Sequence, residues 1–227
     1  MTRGTGPQSV GKFITLEGGE GAGKTTQINQ LAEALKQAGL NPVITREPGG
    51  APAAEVIRSL LVEGEVDRWL PMTEALLHTA ARLEHVRQTI KPALSVGRWV
   101  VSDRFADSTL VYQGYGHDLG LETMDRLHQL ALGGFQPDLT VILDVPVEEG
   151  LARAKGRARD QEGASGEGED RYERMGMEFH QRIRDGFLDI ARRNPERCVV
   201  IDSTADENTV QAQIKDMIAS RFKIDLP

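Results

Sequence analysis

The 227-residue sequence has one cysteine, Cys198, so no internal disulfide can form. It lies in the apolar run Cys198-Val199-Val200-Ile201, which reads as a buried strand position. No stretch approaches the uninterrupted apolar length that spans a bilayer, so no membrane partner is expected. The N-terminus lacks the apolar core of a secretion signal, which makes the cytoplasm the expected location. Five histidines follow no zinc-site spacing, and no internal repeat stands out. An excess of positive charge is also missing. Lys plus Arg number 27 against 34 Asp plus Glu, a formal net charge of −7. That balance does not point to nucleic acid, although it leaves a local basic groove open. What remains is a globular chain, 39 % apolar, long enough for one good core, and we read residues 1–227 as a single domain.

The informative stretch is Gly18-Gly19-Glu20-Gly21-Ala22-Gly23-Lys24-Thr25, a Gly, four residues, Gly-Lys-Thr phosphate loop. Phe13-Ile14-Thr15-Leu16 before it reads as a strand, and Thr26 to Ala38 after it as a helix. Glycines let successive backbone N–H groups wrap an anion, and the helix start adds its own unpaired donors and dipole. Gly18 through Thr26 are therefore expected to hold nucleotide phosphates. Lys24 would reach the β- and γ-phosphates, and the Thr25 hydroxyl would ligate Mg²⁺.

Four further apolar runs, Asn41–Thr45, Trp99–Ser102, Asp138–Asp144 and Arg197–Asp202, are separated by helical patterns. Such runs fit a five-stranded parallel sheet covered on both faces. Ligands gather beyond the carboxyl ends of such strands. There stand Arg46 with Pro48 and two glycines, then Asp103-Arg104. Asp103 is placed to help hold Mg²⁺ and Arg104 to face phosphoryl groups; a structural Asp–Arg pair is the alternative. Arg58, on the helix Ala53–Leu61, is a weaker candidate for the same pocket. A long helix is expected from Pro71-Met72-Thr73 to about Val96, with Thr73 as N-cap and an interruption near Pro92. On it His78 and Arg82 share a face. They would pack against and hydrogen-bond a flat carbonyl-bearing ligand, or Arg82 forms an internal ion pair with Glu74 or another carboxylate. Ser108, Tyr112 and Gln113 follow in a segment that offers a ring and an amide. Between strands four and five a basic piece containing Arg153, Arg157 and Arg159 precedes an acidic, glycine-rich piece. Residues 153–171 are read as a lid whose arginines could close over donor phosphates, with a solvated loop as the alternative. His180 is read as a surface or interface residue.

A phosphate loop alone admits GTPases, motors, nucleic-acid helpers and small-molecule kinases. No guanine-reading Asn-Lys-x-Asp element is evident, and the extra arginines suggest a second anionic substrate. A nucleoside monophosphate kinase is the favoured class. The alternative is a P-loop ATPase module acting with nucleic acid or a protein partner.

Several separated segments together resemble bacterial thymidylate kinases over nearly the whole chain. They are Phe13–Gly18 with the loop, Thr45-Arg46-Glu47-Pro48-Gly49-Gly50, Leu76-Leu77-His78-Thr79-Ala80-Ala81-Arg82, Ser102-Asp103-Arg104-Phe105, Ser108 through Gly114, and Asp170-Arg171-Tyr172-Glu173. The resemblance implies a three-layer P-loop fold of nucleoside monophosphate kinase type and transfer of the ATP γ-phosphoryl to dTMP, on the path to dTTP. It implies ATP and Mg²⁺ as donor and cofactor, dTMP as partner, and a homodimer. Arg46 and Arg104 would hold acceptor and transferring phosphoryl groups. Arg82 would meet a thymine carbonyl, with Gln113 nearby and Tyr112 by the deoxyribose. The loop has no arginine, which in this subclass assigns that charge to the lid. Three departures are visible: His78 stands where a stacked phenylalanine is usual, Gly156 to Gly168 follows no tight family pattern, and Ala51 replaces a common hydroxyl residue.

Overall fold

A computed structural model describes residues 10–160 and 171–227, with the side chains of 157–160 outside the description. Five parallel strands form one sheet in the order β2-β3-β1-β4-β5. They are β1 (Phe13–Glu17), β2 (Val43–Arg46), β3 (Val100–Asp103), β4 (Leu139–Asp144) and β5 (Cys198–Asp202). Every residue of β1 is buried, as expected for a central strand with helices on both faces, whereas the edge strand β2 alternates and leaves Ile44 exposed. One face packs Ile14 and Leu16 against Ile28, Leu31 and Leu35 of α1 (Lys24–Gln37) and Ile214 and Ile218 of α9 (Glu207–Phe222). On the other face Phe13, Val100 and Phe105 meet Val86 and Ile90. Ile142 there meets Phe179, Ile183 and Phe187 of α8 (Met177–Arg193).

Strand order reverses at β1, so the crevice beyond its carboxyl end is the topological switch point. The phosphate loop leaves β1 there. In register, Leu16 and Arg46 both pair with Asp103, so the ends of β1, β2 and β3 bring Glu17, Arg46 and Asp103 to one end of the sheet.

Several expected elements shift. The long helix starts at Pro71, not at a Thr73 cap: α3 runs Pro71–His85 with Leu70 at the cap position. Proline at the first helical position costs nothing in hydrogen bonding, because that N–H would be orphaned anyway. The helix continues through a π-helical turn, Val86–Ile90, into α4 (Lys91–Ser95). That widening precedes Pro92, which cannot donate to the preceding turn. Residues after Phe105 form α5 (Ala106–Thr109) and a π-helical segment, Leu110–Gly116, which carries Tyr112 and Gln113. The expected lid begins as helix: α7 spans Val147–Asp160, rich in Ala, Arg and Lys, with Glu148 and Glu149 in its first turn. Lid residues 161–170 lie outside the described residues. α2 (Pro52–Val62) and α6 (Leu121–Leu132) both pack on α3.

Candidate active site

A cleft of about 500 Å³ runs along the carboxyl ends of β1, β2 and β3. Its floor is Glu20 to Thr26. Its walls include Arg46, Pro48, Arg58, His78, Arg82, Asp103, Arg104, Ser108, Tyr112 and Gln113, each singled out from sequence. The loop can turn this tightly because Gly21 takes φ +71°, and a Cβ there would collide with the Gly150 carbonyl. Gly18 and Gly19 line the back of the loop rather than the cleft, and their carbonyls accept from Lys24 Nζ at 3.2 and 2.9 Å. Burial, then the like charge of Arg104, bring the Lys24 ammonium down to about 8, against the pull of Glu20 and Asp103.

Arg104 is set at φ +67°, an unusual backbone for a side chain of its size. Its Nη1 donates to the Gly18 carbonyl at 3.0 Å and to Ser108 Oγ at 3.1 Å, and its Nη2 to Glu20 Oε1 at 2.8 Å. The guanidinium lies 5.0 Å from the Tyr112 ring centre, and the Tyr112 hydroxyl donates to the same Glu20 oxygen. Burial alone would raise the Glu20 carboxyl, but Arg104, Lys24 and Tyr112 bring it down to about 2. Asp103 does not pair with its neighbour; its Oδ2 accepts from the Thr25 hydroxyl at 3.2 Å. The two oxygen-bearing groups expected to serve one cation are thus adjacent.

Arg82 is 4 % exposed, and the ion-pair reading holds with Glu47 rather than Glu74. Its Nε donates to Glu47 Oε2 at 2.7 Å, and its Nη2 to the Phe105 carbonyl and Thr109 Oγ1 at 3.0 and 2.8 Å. His85 Nδ1 donates to the other Glu47 oxygen at 2.9 Å. Glu74 instead faces Arg171 across 2.5 Å and accepts from Gln113 Nε2 at 2.8 Å. His78 shares a 2.9 Å hydrogen bond with the Tyr172 hydroxyl, and burial depresses its imidazole to about 4.

The rim is looser. Arg46 Nη2 donates to Glu55 at 3.1 Å with more than half of its side chain exposed, and Arg58 Nη1 donates to the Pro48 carbonyl at 2.8 Å.

A model of the family described as thymidylate kinase matches residues 16–214. The chain belongs to the thymidylate kinase family. A thymidylate kinase of Caulobacter vibrioides is 51 % identical over 212 residues, covering 93 % of this chain and 98 % of that one. One from Nitrobacter hamburgensis is 52 % identical over 214 residues, 94 % of this chain and 90 % of that one. A crystal structure of the thymidylate kinase from Ehrlichia chaffeensis superposes with a TM-score of 0.72 at 37 % identity, over 92 % and 98 % of the two chains.

Two sequence expectations fall elsewhere in this thymidylate kinase fold. Arg153 turns from the cleft to Glu149, one helical turn back, and to the Ser203 carbonyl at 2.9 Å. The side chains of Arg157 and Arg159 lie outside the described residues. His180 is buried at 4 % exposure, because the inner face of α8 covers it. Sequence reasoning missed the acidic frame of Glu17, Glu47 and Glu74, each no more than 6 % exposed. One signal was available: Glu17 ends an otherwise apolar strand directly before the loop.

Proposed function

We propose that this one cleft carries out the reaction of the family, moving the γ-phosphoryl group of ATP to dTMP and releasing ADP and dTDP, a step toward dTTP. The observation that carries this reading is the convergence of a complete phosphate loop with Arg46, Arg82 and Arg104 on one cleft. Two anionic ligands laid end to end need this division: loop N–H groups and Lys24 for the donor, arginine forks for the acceptor.

The acceptor phosphate oxygen attacks the γ-phosphorus in line, and the bond to the β-bridging oxygen breaks. The attacking acceptor oxygen is already anionic, so no strong general base is needed. Arg104 and Lys24 face the shared phosphoryl position and offset the charge spread over its equatorial oxygens. Arg46 meets the acceptor phosphate, with Arg58 and Pro48 beside it. Arg82 offers the edge of its guanidinium to a base carbonyl, Gln113 lies alongside, and His78 covers the ring. Ser108 steadies Arg104, and Tyr112 packs near the sugar. The Thr25 hydroxyl and Asp103 carboxylate suit Mg²⁺, a hard ion that takes few protein ligands beside phosphate oxygens and water. When bound it supplies positive charge to the β- and γ-phosphates.

The loop sequence Gly21-Ala22-Gly23 offers no arginine, which favours a lid residue among Arg153, Arg157 and Arg159 for further charge. Exposed Val56, Leu76 and Leu130 lie on the neighbouring helices α2, α3 and α6 and favour a homodimer through that layer. Among the described residues no helix is long and apolar enough to cross a membrane, which accords with work in the cytoplasm.

The test is phosphoryl transfer from MgATP to dTMP, dUMP, dCMP, dAMP and dGMP. Selective conversion of dTMP is expected. Transfer to none of them, with ATP hydrolysis stimulated by nucleic acid, would replace this reading with the ATPase alternative.

A further inference from the structure

Glu17 is fully buried at the end of β1, yet nothing in the transfer step uses it. Its Oε1 accepts from the Phe105 backbone N–H at 2.7 Å, and its Oε2 from the Ser108 hydroxyl at 2.6 Å. In the chain both partners closely follow Arg104, the residue held at φ +67°. The Ser108 hydroxyl has one proton. Donating it to Glu17 leaves the oxygen lone pairs facing Arg104 Nη1, 3.1 Å away.

We propose that Glu17 is the positioning residue for Arg104: its carboxylate fixes the left-handed turn through Phe105 N–H and sets the Ser108 hydroxyl to accept from the guanidinium. The inference rests on the assignment of Arg104 to the phosphoryl groups. A left-handed backbone at a non-glycine residue is unfavourable by about 1 kcal/mol, and a buried, charge-assisted bond to the next amide offsets it. The ionised carboxylate is needed for both contacts at once. A neutral amide in its place has one accepting oxygen. With that oxygen on Phe105 N–H, its NH₂ faces Ser108, and the serine proton has no acceptor. Turned over, NH₂ meets N–H.

The surroundings keep this carboxylate near its titration point. Burial and then the charge of Asp107 on α5 lift Glu17 to about 7, against Ser108, Arg104 and the Phe105 N–H. Lys24 from the loop side, Arg197 ahead of β5 and the Cys198 thiol on β5 are the other titratable groups that feel it. Asp107 is itself held by Arg197 Nη1 and Nη2 at 2.6 and 2.9 Å. As pH falls through 7, Glu17 takes a proton, becomes a donor at one oxygen, and loosens its hold on the turn.

The test compares Glu17→Gln with wild type from about pH 6 to about pH 8.5, each parameter taken as a ratio so that ionisation of the substrates cancels. At the upper end kcat/KM for dTMP is expected to fall about tenfold, with KM for ATP unchanged. The ratio should return toward one at the lower end, where wild-type Glu17 is itself neutral. A ratio independent of pH would mean a structural role only and overturns the proposal, as does a folded variant equal to wild type throughout. If Glu17→Gln does not fold by circular dichroism, Ser108→Ala decides: it breaks the relay to Arg104 but keeps the Phe105 bond. A severalfold loss in kcat/KM for dTMP with KM for ATP unchanged supports the relay, and no loss overturns it. Arg104→Ala separates the two levels. An inactive Arg104→Ala beside a normal Glu17→Gln sinks this inference alone, whereas an active Arg104→Ala sinks the phosphoryl assignment with it.

Discussion

Arg82 and Arg46 face the same cleft from opposite conditions. Arg82 is fixed by Glu47, the Phe105 carbonyl and Thr109 before any ligand arrives, and water scarcely reaches it. Among the described residues Arg46 leans on Glu55 alone, with both partners substantially exposed. The contrast extends to whole regions. The inner half of the site is framed by Glu17, Glu20, Glu47 and Glu74, each holding a cation, a hydroxyl or an amide in place. The outer half, at Arg46, is held by a partner that is itself exposed, so its side chain can trade solvent for ligand. Rigidity inside suits a base and a phosphoryl group that must be held in one geometry. Exposure outside suits entry and release.

Substitutions sharpen the contrast, beginning with the largest effect. Lys24→Ala is expected to cut turnover by about a thousandfold or more while leaving the circular dichroism spectrum unchanged. Near-normal turnover by a folded variant would remove Lys24 from the mechanism. Glu74→Ala should be costly in stability instead, by about 3 kcal/mol or more in urea melts, because it strands the buried Arg171 guanidinium. A loss below about 1 kcal/mol would mean that Arg171 is satisfied by the Leu61, Glu65 and Val66 carbonyls it also meets. His78→Phe gives the smallest change, visible in its pH dependence. The folded imidazole is depressed from 6.5 to about 4, so between those values the unfolded chain binds the proton first and wild-type stability falls with pH. The variant lacks this loss. Its melting temperature relative to wild type should rise as pH is lowered from 7 to 5, and a constant difference would contradict the half-buried, neutral imidazole.

The donor side was legible in the sequence because its signals are local. An apolar strand, a glycine pattern and a helix lie within about thirty residues, and strand ends place ligands by a general rule. The arginines were legible as candidates for the same reason. Their partners were not. Glu17 is joined to Phe105 and Ser108, 88 and 91 residues away, and Glu47 to Arg82, 35 away. Nothing periodic marks such pairs; only the strand order β2-β3-β1 brings them together. Glu47 in Arg-Glu-Pro-Gly-Gly carries no local mark of burial, and it is the centre of a buried network. Arg153 shows the opposite case, because a nearby Glu149 on the same helix supplies a partner that competes with the cleft.

The most direct test sets Arg82→Ala beside Arg46→Ala, with KM for dTMP and melting temperature measured on both. Both variants should bind dTMP more weakly. Only Arg82→Ala, which leaves Glu47 buried without its guanidinium, should also lose melting temperature, on the order of 10 °C, while Arg46→Ala stays within about 2 °C of wild type. Equal changes in melting temperature for the two would contradict a site divided into a prebuilt inner half and a solvent-facing rim.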